Sequence, residues 1–167
     1  MTEKTKPIIN LADVQLRDQG NGEGFQAKTG SFGRAIGSTG IGISLHLVEP
    51  GKKAYPFHNH HGIHELFYVI EGSGTYRFGK EQHPVKAGDV LAAPSGGQEN
   101  AHQLINTGTT TLKYLGISAA SGESQVVEYP DSGKFAVSSR YDWATGKGGI
   151  RFIGRPGESL DYWEGEK

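Results

Sequence analysis

Four of the seven histidines fall between His58 and His64, in the run His58-Asn59-His60-His61-Gly62-Ile63-His64-Glu65, and a carboxylate closes the run before the apolar stretch Leu66 to Ile70. Neutral imidazole is the commonest protein ligand for transition metals. Side chains two residues apart on an extended segment point to the same side, so His58 and His60 can share one ion. Glu65 heads a second strand-like segment, and a tight turn through Gly62 would return its carboxylate to that ion. A fourth ligand has to come from elsewhere. The next histidines are His83 and His102, and only His102 opens a strand-like pattern, with Leu104 and Asn106 on its parity and Gln103 and Ile105 on the other.

These residues resemble the two motifs of the cupins. The first cupin motif is a glycine, five residues, His-x-His, three or four residues, Glu, six residues and a glycine; here it reads Gly51, His58, His60, Glu65, Gly72. The second is a glycine, five residues, Pro-x-Gly, two residues, His, three residues and Asn; here it reads Gly88, Pro94, Gly96, His102, Asn106. The chain departs from the pattern twice. Six residues instead of five separate Gly51 from His58, where Pro56 already marks irregular backbone. Five instead of two separate Gly96 from His102, and an ungapped reading would put Glu99 in the histidine's place. His102 keeps its spacing to Asn106 and is taken as the ligand, with Glu99 and His64 as substitutes. The resemblance covers Ile41 to Ser118, and two linked motifs are far more specific than one short pattern.

The resemblance implies an all-β fold, a double-stranded β-helix jelly-roll barrel in a single domain. It also implies a metal site built from His58, His60, Glu65 and His102. The expected cofactor is one divalent transition metal ion: Fe, Mn, Ni, Co or Zn. A six-coordinate ion held by these four ligands keeps two open positions, whereas four-coordinate zinc would be filled. His61 and His64 are expected outside the ligand set. His64 and Glu99 are the candidates for acid/base work, and Gln98 with Glu99 would rim the pocket. Phe67 and Val69 share Glu65's parity and should line the same cavity. Tyr55, Tyr68, Tyr76 and Phe78 are candidate pocket walls, although ordinary packing explains each of them. Arg77, His46 and His83 read as ordinary surface or core residues.

The elements that must position these residues are legible from turns. Glycine is the outlier, at 26 residues spread along the chain, and it implies many tight turns. Between them lie short alternating or apolar segments: 43–48, 54–60, 65–71, 75–78, 89–93, 102–106, 111–117 and 125–129. No convincing helical stripe appears. Short strands at regular spacing argue for a sandwich or barrel, in agreement with the resemblance. The domain expectation is an N-terminal arm or edge strand over 1–40, a barrel over 41–129, and a C-terminal extension over 130–167. That extension carries Trp143 and Trp163 and is expected to dock on the barrel or on a dimer partner.

Composition narrows the function classes. A chain of 167 residues can bury a core without staples, and with no cysteine any metal must use imidazole and carboxylate. With 17 basic and 18 acidic residues and no long basic run, nucleic acid is not an expected partner. The N-terminal segment has no apolar run of the signal-peptide kind and no stretch reaches membrane-spanning length, so the expected location is the cytoplasm, with no membrane partner. The leading functional reading is an enzyme acting on a small polar molecule that chelates the ion, a sugar or sugar-phosphate isomerase or epimerase before others. A non-haem metal dioxygenase and a non-catalytic small-ligand-binding or sensor cupin are the alternatives. The resemblance also implies a homodimer.

Overall fold

The computed structural model describes residues 5–119, 124–141, 146–157 and 159–166. Trp143, on which part of the aromatic-tail expectation rests, lies outside the described residues. In chain order the strands are β1 (Arg17–Gly20), β2 (Gln26–Ser31), β3 (Ile41–Val48), β4 (Asn59–His60), β5 (Glu65–Glu71), β6 (Ser73–Phe78) and β7 (Glu81–Lys86). They continue as β8 (Val90–Ala93), β9 (His102–Ile105), β10 (Leu112–Ala119), β11 (Ser124–Tyr129), β12 (Lys134–Ser139) and β13 (Ile150–Gly154). Helix is confined to short 3-10 turns among the described residues. No helix of the described residues is long and apolar enough to cross a membrane.

Three sheets form, in the orders β1-β2-β3-β10-β5-β8, β13-β12-β11-β4 and β7-β6-β9. The fold is all-β, a jelly roll whose sheets do not close into one continuous barrel. Alternation along β3 sorts its side chains to two cores. Val48 joins Ala27, Val69, Tyr76, Leu91, Leu104, Leu112 and Tyr114 in the inner core. Leu45, on the opposite face, packs with Val14 and Phe32, and Ile9, Leu11 and Leu16 of the N-terminal segment close over it. Each such side chain removed from water contributes roughly 1.5–3 kcal/mol.

The two motifs are tied together at one end by an asparagine. Gly51, at φ +77°, donates its N–H to the Asn106 carbonyl at 2.8 Å, and the Asn106 N–H returns to Lys52 O at 3.0 Å. The fully buried Asn106 side chain donates to Val48 O at 2.7 Å and to Thr110 O at 2.8 Å, and accepts from Gly108 N at 3.0 Å. Gly72, at φ +83°, turns β5 into β6, and a Cβ there would meet the Thr111 carbonyl at 2.5 Å.

Most of the expected strands form, with two kinds of difference. The expected segment 54–60 contributes only Asn59–His60 as regular strand plus an isolated bridge from His58 to His102, because Pro56 withholds a donor there. In the other direction, β7 forms through His83 and Pro84, outside the expected segments. It lies on the edge of its sheet, where a residue without an N–H is tolerated, and Pro84 pairs with Thr75.

Candidate metal centre

The site forms where the sheets meet. His60 lies on β4, the edge strand of the four-stranded sheet, and His58 immediately precedes that strand; Glu65 opens β5 in the six-stranded sheet; His102 opens β9 in the three-stranded sheet. Reciprocal backbone bonds, His102 N to His58 O at 2.8 Å and His58 N to His102 O at 3.2 Å, set the two histidines opposite each other. Their rings lie 4.6 Å apart, and the His60 ring lies 5.0 Å from His58. The extra residues ahead of His102 are taken up by the 3-10 turn Gln98–Asn100.

Donor atoms of His58, His60 and Glu65 lie within 4.8 Å of one another. His102 Nε2 stands 3.1 Å from Glu65 Oε2, and His60 Nε2 is 3.3 Å from the same oxygen. The tautomers make this a test of fit. A backbone carbonyl only accepts, so the contacts His58 Nδ1 to Pro56 O at 2.8 Å and His102 Nδ1 to Asn100 O at 3.2 Å place a proton on each Nδ1. The Nε2 of a neutral His102 then presents a lone pair to a carboxylate oxygen. Two acceptors at that distance require a second proton or a cation between them. The His60 Nδ1 is buried without a hydrogen-bond partner. Imidazole and carboxylate donors converging in this way fit a divalent transition ion.

Burial pushes the His58 pKa down to about 3, helped by the neighbouring His102 and His60, so the ring is neutral near pH 7. Burial alone would raise the Glu65 pKa, but the His102 and His60 imidazoles against the carboxylate outweigh it and hold the carboxyl below its usual range. A neutral imidazole and an ionised carboxylate are the forms in which these groups bind metals.

His64 is exposed and lies against Ser95, its Nε2 3.1 Å from the hydroxyl oxygen, and it is not among the converging donors. Glu99 accepts from Gly97 N at 3.0 Å and so caps its own loop. Phe67 packs 5.6 Å from the His102 ring, as its parity with Glu65 predicts, whereas Val69 is fully buried in the inner core. Tyr76 is buried and donates to Ala92 O at 2.8 Å, whereas Tyr68 points outward and is exposed. Arg77 forms a two-pronged pair with Asp131 at 2.7 and 2.8 Å and lies over Phe57.

Sequence reasoning missed Glu128 and Tyr129. Glu128 pairs with Asn59 across β11 and β4, and its carboxylate accepts from Asn59 Nδ2 at 3.1 Å, His61 Nε2 at 3.1 Å and Gln98 Nε2 at 3.4 Å. Asn59 also donates to Gly96 O at 2.9 Å, joining β4 to the loop that leads to His102. The Tyr129 ring stacks 6.2 Å from His58. Only the pairing of β11 with β4 could have revealed these neighbours, since they are about seventy residues apart in sequence.

A family model for the cupin domain matches residues 44–118, the segment that carries all four converging side chains. Residues 44–118 form a cupin domain. The chain is 34% identical over 68 residues to the oxalate-binding protein of Thermotoga maritima, across 41% of this chain and 54% of that one. The chain thus spans about half the length of the curated relatives it matches. A solved structure from Acidithiobacillus ferrooxidans, described as a candidate sugar phosphate isomerase, aligns at 26% identity and TM-score 0.77 over 93% of this chain and 96% of that one. Another, described as a sugar phosphate isomerase of the cupin superfamily from Silicibacter pomeroyi, aligns at 23% identity and TM-score 0.75 over 93% and 98%. The second likeness is one of fold.

Proposed function

We propose that this cupin is a metal-dependent enzyme that isomerises or epimerises a sugar or sugar phosphate. The observation that carries the reading is the convergence of imidazole and carboxylate donors, with His102 Nε2 and His60 Nε2 3.1 and 3.3 Å from one oxygen of Glu65 and His58 beside them, a donor set that fits a divalent ion. Bound there, a divalent ion would polarise a substrate carbonyl and steady an enediolate. His58, His60, Glu65 and His102 hold the ion, and Phe67 walls one side of His102. Likeness along nearly the whole chain to the Acidithiobacillus ferrooxidans structure supports the sugar class. His64 and Glu99 stay as candidates for proton transfer, with His64 nearer in sequence to the ligand Glu65. The reading extends to a cytoplasmic homodimer with a small-molecule partner.

A second reading is a cupin that binds a small chelating anion without turnover. The identity to the oxalate-binding protein favours it.

Metal analysis of untagged protein, with and without His58→Ala, combined with an isomerisation assay on a panel of aldoses and aldose phosphates, tests both. Stoichiometric metal, lost in His58→Ala together with turnover, supports the enzyme. Metal without turnover on any member, with oxalate binding, supports the second reading. No metal after reconstitution overturns both.

A further inference from the structure

Near the candidate metal cluster lie two hollows, of about 260 and about 190 Å³, that share Phe135 and Pro156 in their linings. Together they fall within the roughly 300–1,000 Å³ typical of small-molecule sites. Their lining changes character along its length. At the end next to the cluster stand Glu128, His61 and Gln98, bonded to one another and so held in fixed orientation. The rings of Tyr129 and Phe135 follow, and Tyr129 is the side chain that stacks on His58. Lys134 lies beside them, its Nζ 5.7 Å from the Tyr129 ring centre. The second hollow adds Arg155 and Ser159.

A carboxylate, an imidazole and an amide clustered together match a row of hydroxyls, which both donate and accept. Flat aromatic faces suit the C–H faces of a sugar. Two cations farther along suit an anionic group, and they would repel a positively charged ligand. A wholly apolar ligand would strip water from Glu128 and Lys134 without replacing their hydrogen bonds.

We infer that this groove binds an anionic polyol, its hydroxyls against Glu128, His61 and Gln98 and its phosphate or carboxylate between Lys134 and Arg155. The inference deepens the isomerase reading by placing the part of the substrate remote from the metal, and rests on that reading only for the ligand's role as substrate.

Calorimetric titration of the full chain with glucose 6-phosphate, ribose 5-phosphate and gluconate, against glucose, ribose and inorganic phosphate, tests it without turnover. At least one anionic sugar should bind tenfold or more tighter than its neutral counterpart and than inorganic phosphate. The double variant Lys134→Gln, Arg155→Ala should remove that preference, whereas Glu65→Gln, which disables the metal site, should keep it. A preference for gluconate identifies a carboxylate as the anion, and a preference for a sugar phosphate identifies the phosphate. No preference over the neutral sugar, equal affinity for inorganic phosphate, or a preference untouched by the double variant overturns the inference. Loss of isomerisation with the preference intact would refute the enzyme reading alone.

Discussion

The two cupin motifs meet at two ends, and the ends are built on opposite principles. At the Gly51–Asn106 end every polar atom of the asparagine side chain is used: two carbonyls accept from its amide nitrogen and one N–H donates to its oxygen. At the His58–His102 end the backbones are joined just as firmly, but the side chains converge lone pair on carboxylate, and His60 Nδ1 has no partner. A satisfied buried network specifies a fold, whereas an unsatisfied one is costly unless something else binds it. The same motifs therefore supply scaffold at one end and a receptive site at the other.

The sharpest way to break this contrast is to remove a ligand. Structural metal sites are worth about 10–16 kcal/mol over several ligands, so losing Glu65 in Glu65→Ala should cost on the order of a thousandfold in metal affinity. Unfolding of the metal-free variant should change far less, because a converging set of acceptors is removed. Competition against a chelator with metal readout by mass spectrometry checks the first half, and denaturant unfolding the second. Metal affinity unchanged in Glu65→Ala would end the reading of this cluster as the centre.

Asn106→Ala should show the reverse. It leaves two buried carbonyls and one N–H without their partner, at about 1–3 kcal/mol for each group left unsatisfied, so a loss of about 3 kcal/mol is expected after partial rehydration. The folded fraction should still bind metal with affinity within a few fold of the wild type. If metal affinity collapsed in step with stability, the two ends would be one cooperative unit and the contrast would fail.

Much of this was legible in the sequence, and the parts that were not have a common cause. His58 and His60 stand out by their spacing, and the parity shared with Glu65 puts Phe67 beside His102, while Val69 goes into the inner core. Strands β1, β2, β12 and β13 are polar, glycine-containing or half exposed, and they form because neighbouring strands offer them hydrogen bonds. Edge strand β7 hides behind Pro84 for the same reason. Glu128 reaches the site only through the pairing of β11 with β4, a contact between distant parts of the chain that no local pattern encodes. Local periodicity reports which face a residue takes, and not which strand lies beside it.

His46 sharpens the contrast from another side, as a buried imidazole that is not part of the cluster. It stacks on Tyr114 at 4.7 Å, meets Tyr55 edge-on at 5.6 Å, and its Nε2 lies 2.7 Å from Ser44 Oγ. Burial pushes its pKa down to about 4, against a smaller opposing pull from the charge on Glu65. Its folded pKa lies below the unfolded value near 6.5, so the folded state binds fewer protons. The associated stability is complete above pH 6.5, fades as pH falls, and is gone below about pH 4. The loss should reach about 2 kcal/mol by pH 5. The variant His46→Gln should flatten the pH dependence of unfolding in this window and leave metal stoichiometry at pH 7 intact. An unaltered pH profile would show that His46 does not titrate as its burial dictates.

The smallest effect is expected at Arg77, which lies between the two ends and belongs to neither. Its pair with Asp131 is largely exposed, at 30% and 54%, so water and salt screen it and its contribution should stay under about 1 kcal/mol. The guanidinium also covers the ring of buried Phe57, 3.6 Å from its centre, and Phe57 precedes the candidate ligand His58. Arg77→Ala therefore loses some packing as well as charge. The expected outcome is a Tm lowered by a few degrees, partly masked in high salt, with metal affinity within twofold. His58 is held from the other side by its bonds to Pro56 O and to the His102 backbone, which the variant leaves in place. A tenfold drop in metal affinity would mean that these bonds do not suffice, and that the receptive end depends on packing from the surface inward.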